Sequence, residues 1–183
     1  FLQENQNIKF KLEVVSLRDS KTVEPIVVEI NILKILPYMP KVITIDPGRS
    51  KCGLVLAEIS EKKVYKAIIL KSELLENYVR NLITAEDISK IIIGNGTTSR
   101  EIREKLYFFK KEIITFEEKN TTYRAKARYF ELFPISGLKF LMPREVFILN
   151  KNLDAISALI ILEDYCKMKF TLNQNIDFKT WLK

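Results

Sequence analysis

Three acidic residues stand where a strand ends or a helix begins. They are Asp46 in VITIDPGRSKCGLVLA, Glu118 in ITFEEKNTTYRA and Asp154 in NLDAISALIILEDY. No histidine occurs in the 183 residues. That absence removes Ser-His-Asp and Cys-His catalysis, histidine-ligated zinc and iron, and histidine general bases together. Chemistry must come from carboxylates, Lys, Tyr, Ser/Thr or an oxygen-liganded metal. Converging carboxylates repel one another unless a cation neutralises them, and their hard oxygens suit Mg2+ or Mn2+. Two such ions about 4 Å apart activate water and stabilise the leaving oxygen of a phosphodiester. The three acids are therefore a candidate hard-metal site of the nuclease kind.

Each acid also has a plainer reading. VITID reads as a buried strand ending in a carboxylate, and Pro47-Gly48 allows a tight turn and close approach of a ligand. A turn aspartate satisfied by nearby amides is equally common there. Strand alternation puts Glu117 and Glu118 on opposite faces, so only one can join Asp46. Glu118 otherwise serves the positive end of the following helix. Lys119, Arg124, Lys126 and Arg128 follow with no acid between them. Arg124 and Arg128 lie one helical turn apart, suiting either phosphate contact or a solvated helix face. Asp154 opens the apolar helix AISALIILEDY, and either descends onto the sheet near Asp46 or acts as a helix N-terminal charge.

The elements that must position these residues fall into two unequal parts. Residues 7–36 alternate as IKFKLEVVSL and TVEPIVVEINILKIL around a polar RDSK turn, which predicts a β-hairpin. LPYMP follows as a short stiff connector. From Lys41 the pattern predicts strands at 42–46, 52–59 and 63–70, a helix near 72–86, and a strand at 90–94. It continues with a helix at about 98–110, a strand at 112–117, a helix at 121–132 and a last helix at 153–167. Three sequential strands followed by alternating helices and strands imply a mixed sheet covered by helices. The expected division is residues 1–40 as an N-terminal β extension, 41–168 as the main domain and 169–183 as a basic tail. Trp181 in that tail either packs on the body or stacks on a base.

Composition narrows the partners. With 47% hydrophobic residues, 5 Gly and 6 Pro, the chain is globular in character. No apolar run reaches the roughly 18–20 residues of a membrane span, so no membrane partner is expected. The first residues, Phe1-Leu2-Gln3, carry no signal-peptide pattern and read as the start of a trimmed or partial chain. Cys52 and Cys166 match neither a disulfide framework nor a zinc pattern, which favours a reducing, cytoplasmic setting. The net charge is +7, and residues 1–40 contribute five basic against five acidic side chains. The whole excess lies beyond residue 40, as suits a polyanion such as nucleic acid.

The motifs together resemble the YqgF family of the RuvC-like, ribonuclease H-like superfamily. ITIDPGRSKCGLVLA is similar to its first motif: a strand ending in Asp, then Gly, a basic residue, and Gly before a second strand. EEKNTTYRA is similar to its acidic-Glu-Arg-x-Thr-Thr-x-x-Ala motif, with Glu118, Thr121, Thr122 and Ala125 in register. LDAISALIILEDY resembles the terminal helix. IIIGNGTTSRE takes the place of the glycine turn before the middle helix, and is closer to the YqgF-like domain of the transcription accessory protein Tex. The likeness spans residues 41–168.

This resemblance implies a ribonuclease H-like α/β domain, a mixed central sheet flanked by helices, with an N-terminal β-hairpin extension. It implies a metal-dependent nuclease associated with pre-ribosomal RNA processing or Holliday-junction resolution. Asp46, Glu118 and Asp154 would be catalytic ligands of Mg2+ or Mn2+, two ions being expected, with Asp46 bridging them. Arg49, Lys51, Arg100, Lys119, Arg124 and Arg128 would contact nucleic acid, and a homodimer is compatible with the likeness. Two positions depart from the pattern. Ser157 stands where RuvC-type resolvases carry a further Asp, and Lys119 replaces an Arg, losing a planar fork for phosphate. The alternative is a non-catalytic nucleic-acid-binding domain of the same fold. A phosphate loop of the actin-like kinase kind would need a second similar domain, which 183 residues do not supply.

Overall fold

The computed structural model describes residues 7–12, 26–31, 40–117, 121–134, 153–173, 176 and 181–182. The chain divides into two compact units, Phe1–Tyr38 and Met39–Lys183. In the first, β1 (Asn7–Leu12) pairs antiparallel with β2 (Ile26–Asn31), from Asn7 opposite Asn31 to Leu12 opposite Ile26. This is the hairpin that the alternating pattern predicts.

The second unit is built on one mixed sheet. Its strands are β3 (Lys41–Asp46), β4 (Lys51–Glu58), β5 (Lys63–Lys71), β6 (Ile88–Gly94) and β7 (Glu112–Phe116), with two short strands, β8 (Thr171–Leu172) and β9 (Trp181–Leu182). The order is β7-β6-β3-β4-β5-β8, and β9 also pairs with β5. β4 runs antiparallel to both β3 and β5, whereas β6 and β7 run parallel to β3. Helices α1 (Leu75–Ala85), α2 (Ser99–Leu106), α3 (Thr121–Leu132) and α4 (Asp154–Cys166) flank this sheet. The expected mixed central sheet flanked by helices is therefore present: three antiparallel strands, then parallel strands reached through helices.

The near-continuous apolar runs of β3 and β4 follow from burial on both faces. On one face Val42, Val55, Ala57 and Ile92 pack with Ala155, Ala158, Leu159 and Leu162 of α4 and Ala125 of α3. On the other, Ile43, Ile45, Leu54, Leu56, Ile91 and Ile93 meet Leu75, Val79 and Leu82 of α1 and Ile102 and Leu106 of α2. Helix α4 is buried continuously from Ala155 to Glu163, as expected of its sequence. Residues after 168 depart from the expected tail. Phe170 is buried in the α4 core, and the Thr171 N–H donates to the Lys62 carbonyl, so the chain rejoins the sheet beside β5.

Thr44 is the polar exception inside the central strand. It sits between Val55 and Ile92, fully buried, and its hydroxyl has no hydrogen-bond partner among the described residues. Leaving a buried hydroxyl unsatisfied costs about 1–3 kcal/mol. Thr44→Val keeps the branched shape and removes that oxygen, so a thermal melt should rise by about 2–8 °C. A fall in Tm would mean that the hydroxyl does useful bonding in solution.

Candidate active site

The site is organised by the turn between β3 and β4. Asp46 is the last residue of β3 and lies opposite Gly53 of β4. Side chains directly opposite each other in an antiparallel pair share a face. Asp46 therefore points to the face of Val42 and Thr44, where α4 packs. The residues between are held tightly. A Cβ on Gly48 would fall 2.1 Å from the Lys51 carbonyl oxygen, so the turn closes only with glycine there. The Ser72 hydroxyl donates to the Gly48 carbonyl at 2.8 Å, and the Ser72 N–H donates to the Ser50 carbonyl at 3.1 Å. The turn is thereby tied to the end of β5.

Gly53 brings the second acid in. A Cβ at Gly53 would lie 1.9 Å from the Asp154 carbonyl oxygen and 2.7 Å from the Ala155 nitrogen. The first turn of α4 thus rests on the bare backbone of β4, one strand from Asp46. Paired strands lie about 4.7–4.9 Å apart, so Asp46 and Asp154 share one small neighbourhood at the carboxyl end of β3.

Lys51 lies two residues before Gly53, on the same face, and its Nζ stands 2.7 Å from Asp154 Oδ2. This approach satisfies charge without hydrogen-bond geometry. Asp154 Oδ2 is buried and has no hydrogen-bond partner among the described residues. Coulomb attraction is not directional, so an ion pair and an unsatisfied oxygen coexist there. The sequence reading gave Lys51 to a phosphate; the structure gives its ammonium to Asp154.

The third acid, Glu118, lies outside the described residues, as does Lys119. What leads to Glu118 is described. Ile93 of β6 pairs with Ile45, and Gly94, one residue on, pairs with Phe116 of β7. Asp46, Gly94 and Phe116 are therefore level at the carboxyl ends of three neighbouring parallel strands. Phe116 meets Tyr165 of α4 edge-on, with ring centroids 5.9 Å apart, so it faces the same side as Asp46. Glu117 is exposed.

The predicted phosphate contacts separate into different situations. Arg49 is exposed in the turn beside Asp46. Arg100 is exposed on α2 and pairs with Glu104 at 3.1 Å. Arg124 makes a two-pronged contact with Asp164 of α4, its Nη2 at 2.7 Å from Oδ1. Arg128 corrects the expectation of a nucleic-acid contact. It is buried, and its guanidinium donates to both Glu163 oxygens at 2.6 and 3.1 Å and to the Phe170 carbonyl at 2.8 Å. Its remaining nitrogen donates to Glu131, whose carboxyl is held below its ordinary value chiefly by a hydrogen bond from Lys169, with Arg128 adding to it. Four of the five N–H donors of this guanidinium are thus engaged inside the chain.

A divalent cation suits what is present. Asp46 lies opposite Gly53, on which the Asp154 backbone rests, and the buried Asp154 Oδ2 has only the Lys51 ammonium against it, so the oxygens offered are hard ones. Among the described residues alone, no group of three or more His, Cys, Asp or Glu is close enough to hold a metal. No helix among the described residues is long and apolar enough to cross a membrane.

No protein-family model matches the sequence, and no curated protein matches it. Several solved structures show a distant similarity. It is similar to Thermus thermophilus RuvC in complex with a Holliday junction substrate at 9% identity and a TM-score of 0.43, over 70% of this chain and 95% of that one. It is also similar to the human cytomegalovirus terminase nuclease domain at 12% identity and a TM-score of 0.42, over 70% of this chain and 84% of that one. A manganese-soaked, inhibitor-bound form of that domain gives 11% identity and a TM-score of 0.42, over 74% and 89%.

Proposed function

We propose that this chain is a divalent-metal-dependent nuclease that cuts phosphodiester bonds in structured nucleic acid, in the manner of the YqgF-type proteins its motifs resemble. What supports this reading is that Asp46 lies opposite Gly53, on which the Asp154 backbone rests, at the carboxyl end of the central strand. Asp46 and Asp154 would hold Mg2+ or Mn2+, with Glu118 completing the ligand set for the two ions expected. The metal would supply Lewis acidity toward the phosphate and lower the pKa of a bound water. Lys51 holds Asp154 in place through their ion pair, and Arg49 offers a cation to the phosphate beside the turn. Branched DNA and precursor ribosomal RNA are the substrates the resemblance favours, and a homodimer would suit a two-stranded cut.

A second reading is favoured by one contact. The Lys51 ammonium already neutralises Asp154, which a domain that binds nucleic acid without cutting it would also require.

One experiment separates the two. Labelled four-way junction, single-stranded DNA and RNA, and precursor ribosomal RNA ends are incubated with Mn2+ or Mg2+ and with wild type or Asp46→Asn. The nuclease reading expects metal-dependent cutting that falls at least about 100-fold in the variant, a few kcal/mol of lost transition-state stabilisation. Equal binding by both proteins with no cutting by either would leave the non-catalytic reading.

A further inference from the structure

Away from the acids, the chain exposes aromatic rings it does not need for its core. After α2, residues Tyr107–Phe109 form one 3-10 turn, closed by Lys110 in the left-handed region (φ 54°). Ile102 and Leu106 already fill the space beneath α2, and Phe109 packs partly against that layer. Tyr107 is 78% exposed and Phe108 49% exposed. Phe108 and Phe109 lie 4.2 Å apart between centroids, and the Arg80 guanidinium from α1 covers them at 4.8 and 5.3 Å. Cation and ring stabilise each other in this arrangement.

The charges around these rings do not cancel. Residues 100–111 contain five basic side chains against two acidic ones. Arg100 pairs with Glu104 and Lys105 with Glu101, while Glu76 is taken by Arg80 and Glu112 by Lys90. Arg103, Lys110 and Lys111 are left with no acidic partner among the described residues. A surface meant for another protein's apolar core is depleted of charge at its centre. Exposed rings among unpaired cations suit a ligand with planar faces and a regular negative charge.

We propose that Tyr107 and Phe108, with Arg103, Lys110 and Lys111, form a second nucleic-acid contact that stacks unpaired bases of a single strand. Bases stack on the rings and the lysines and Arg103 meet the phosphates, as on sequence-tolerant single-strand platforms. The turn lies at the opposite end of β7 from Phe116, which is level with Asp46. That separation is on the order of 15 Å along the last strand in the sheet order. The platform belongs to the α1 and α2 face of the sheet, whereas Asp46 faces α4, so the two contacts are separate.

The test is binding, read with a chelator present so that cleavage does not enter. Fluorescence anisotropy of a labelled single strand of about 20 nucleotides, and of its duplex, is measured across a salt series. The full chain is compared with Tyr107→Ala, Phe108→Ala, their double variant and Lys110→Ala/Lys111→Ala. The aromatic double variant should weaken single-strand binding by about 10-fold or more with little change for duplex. The lysine pair should flatten the dependence of log K on log salt by about 1.4, near 0.7 for each phosphate lost. Single-strand binding by the aromatic double variant equal to wild type would overturn the proposal. So would loss of self-association in that variant, seen by sedimentation, with oligonucleotide binding unchanged, which would assign the rings to a protein contact. Failure of the Asp46 cleavage test leaves this result untouched, and failure here leaves that test untouched.

Discussion

Replacing Gly53 with alanine should lower stability by about 3 kcal/mol and abolish the meeting of Asp46 with Asp154. The added methyl would sit 1.9 Å from the Asp154 carbonyl oxygen, 2.2 Å from its carbonyl carbon and 2.7 Å from the Ala155 nitrogen. All three are backbone atoms at the start of a helix buried over nine consecutive residues, so no flexible side chain can move aside. Either α4 lifts away from β4 or the sheet deforms, which places the change at the upper end of overpacking costs. For a chain of this size a thermal melt should fall by about 6–12 °C. Cleavage, where the wild type shows it, should fall about 100-fold, because a displacement near 1 Å at reacting groups costs that much. A variant with unchanged Tm and unchanged cleavage would show that α4 does not rest on Gly53.

Arg128→Met should be the most damaging change on α3. It leaves Glu163, 6% exposed, with only the Phe170 N–H as a described partner, and leaves the Phe170 carbonyl without its donor. Breaking a buried ion pair from one side costs about 3–5 kcal/mol, because the surviving charge stays desolvated. The double variant Arg128→Met/Glu163→Leu removes both charges and should recover most of that loss. Urea denaturation of the two single variants and the double variant measures the coupling; additive losses would mean that the pair acts independently. Arg124→Ala, one turn earlier, breaks a more exposed pair with Asp164 and should cost less than about 1 kcal/mol. These pairs fasten α3, which begins three residues after Glu118, to α4, which begins at Asp154; under the proposed function Arg128 would therefore position the acids.

The strands and helices were legible because their signals are local. Continuous apolar runs bounded by Pro, Gly and charged turns mark β3 to β7, and an unbroken apolar helix marks α4. The resemblance rested on residues with fixed spacing at strand ends, and the mixed sheet it implied is the one observed. The partners of the basic residues were not legible. Arg124 and Arg128 read alike as a stripe one turn apart and both pair with α4, yet Arg124 meets Asp164 half exposed while Arg128 is buried between Glu163 and the Phe170 carbonyl. Lys51 likewise read as a phosphate contact. Its alternation with Gly53 was the one available hint that it shares the face on which Asp154 descends.

The sequence by itself determined the kind of chemistry open to this protein. With no histidine, chemistry is left to carboxylates, Lys, Tyr, Ser/Thr or an oxygen-liganded metal, and residue type needs no fold to establish that. Tertiary structure decided which groups meet. Asp46 and Asp154 are more than 100 residues apart in the chain, and the Asp154 backbone reaches the strand beside Asp46 because Gly53 lets a helix backbone touch the sheet. Tyr107 and Phe108 are exposed because Ile102 and Leu106 fill the core first. Both outcomes depend on the space left between packed elements, which no local pattern records.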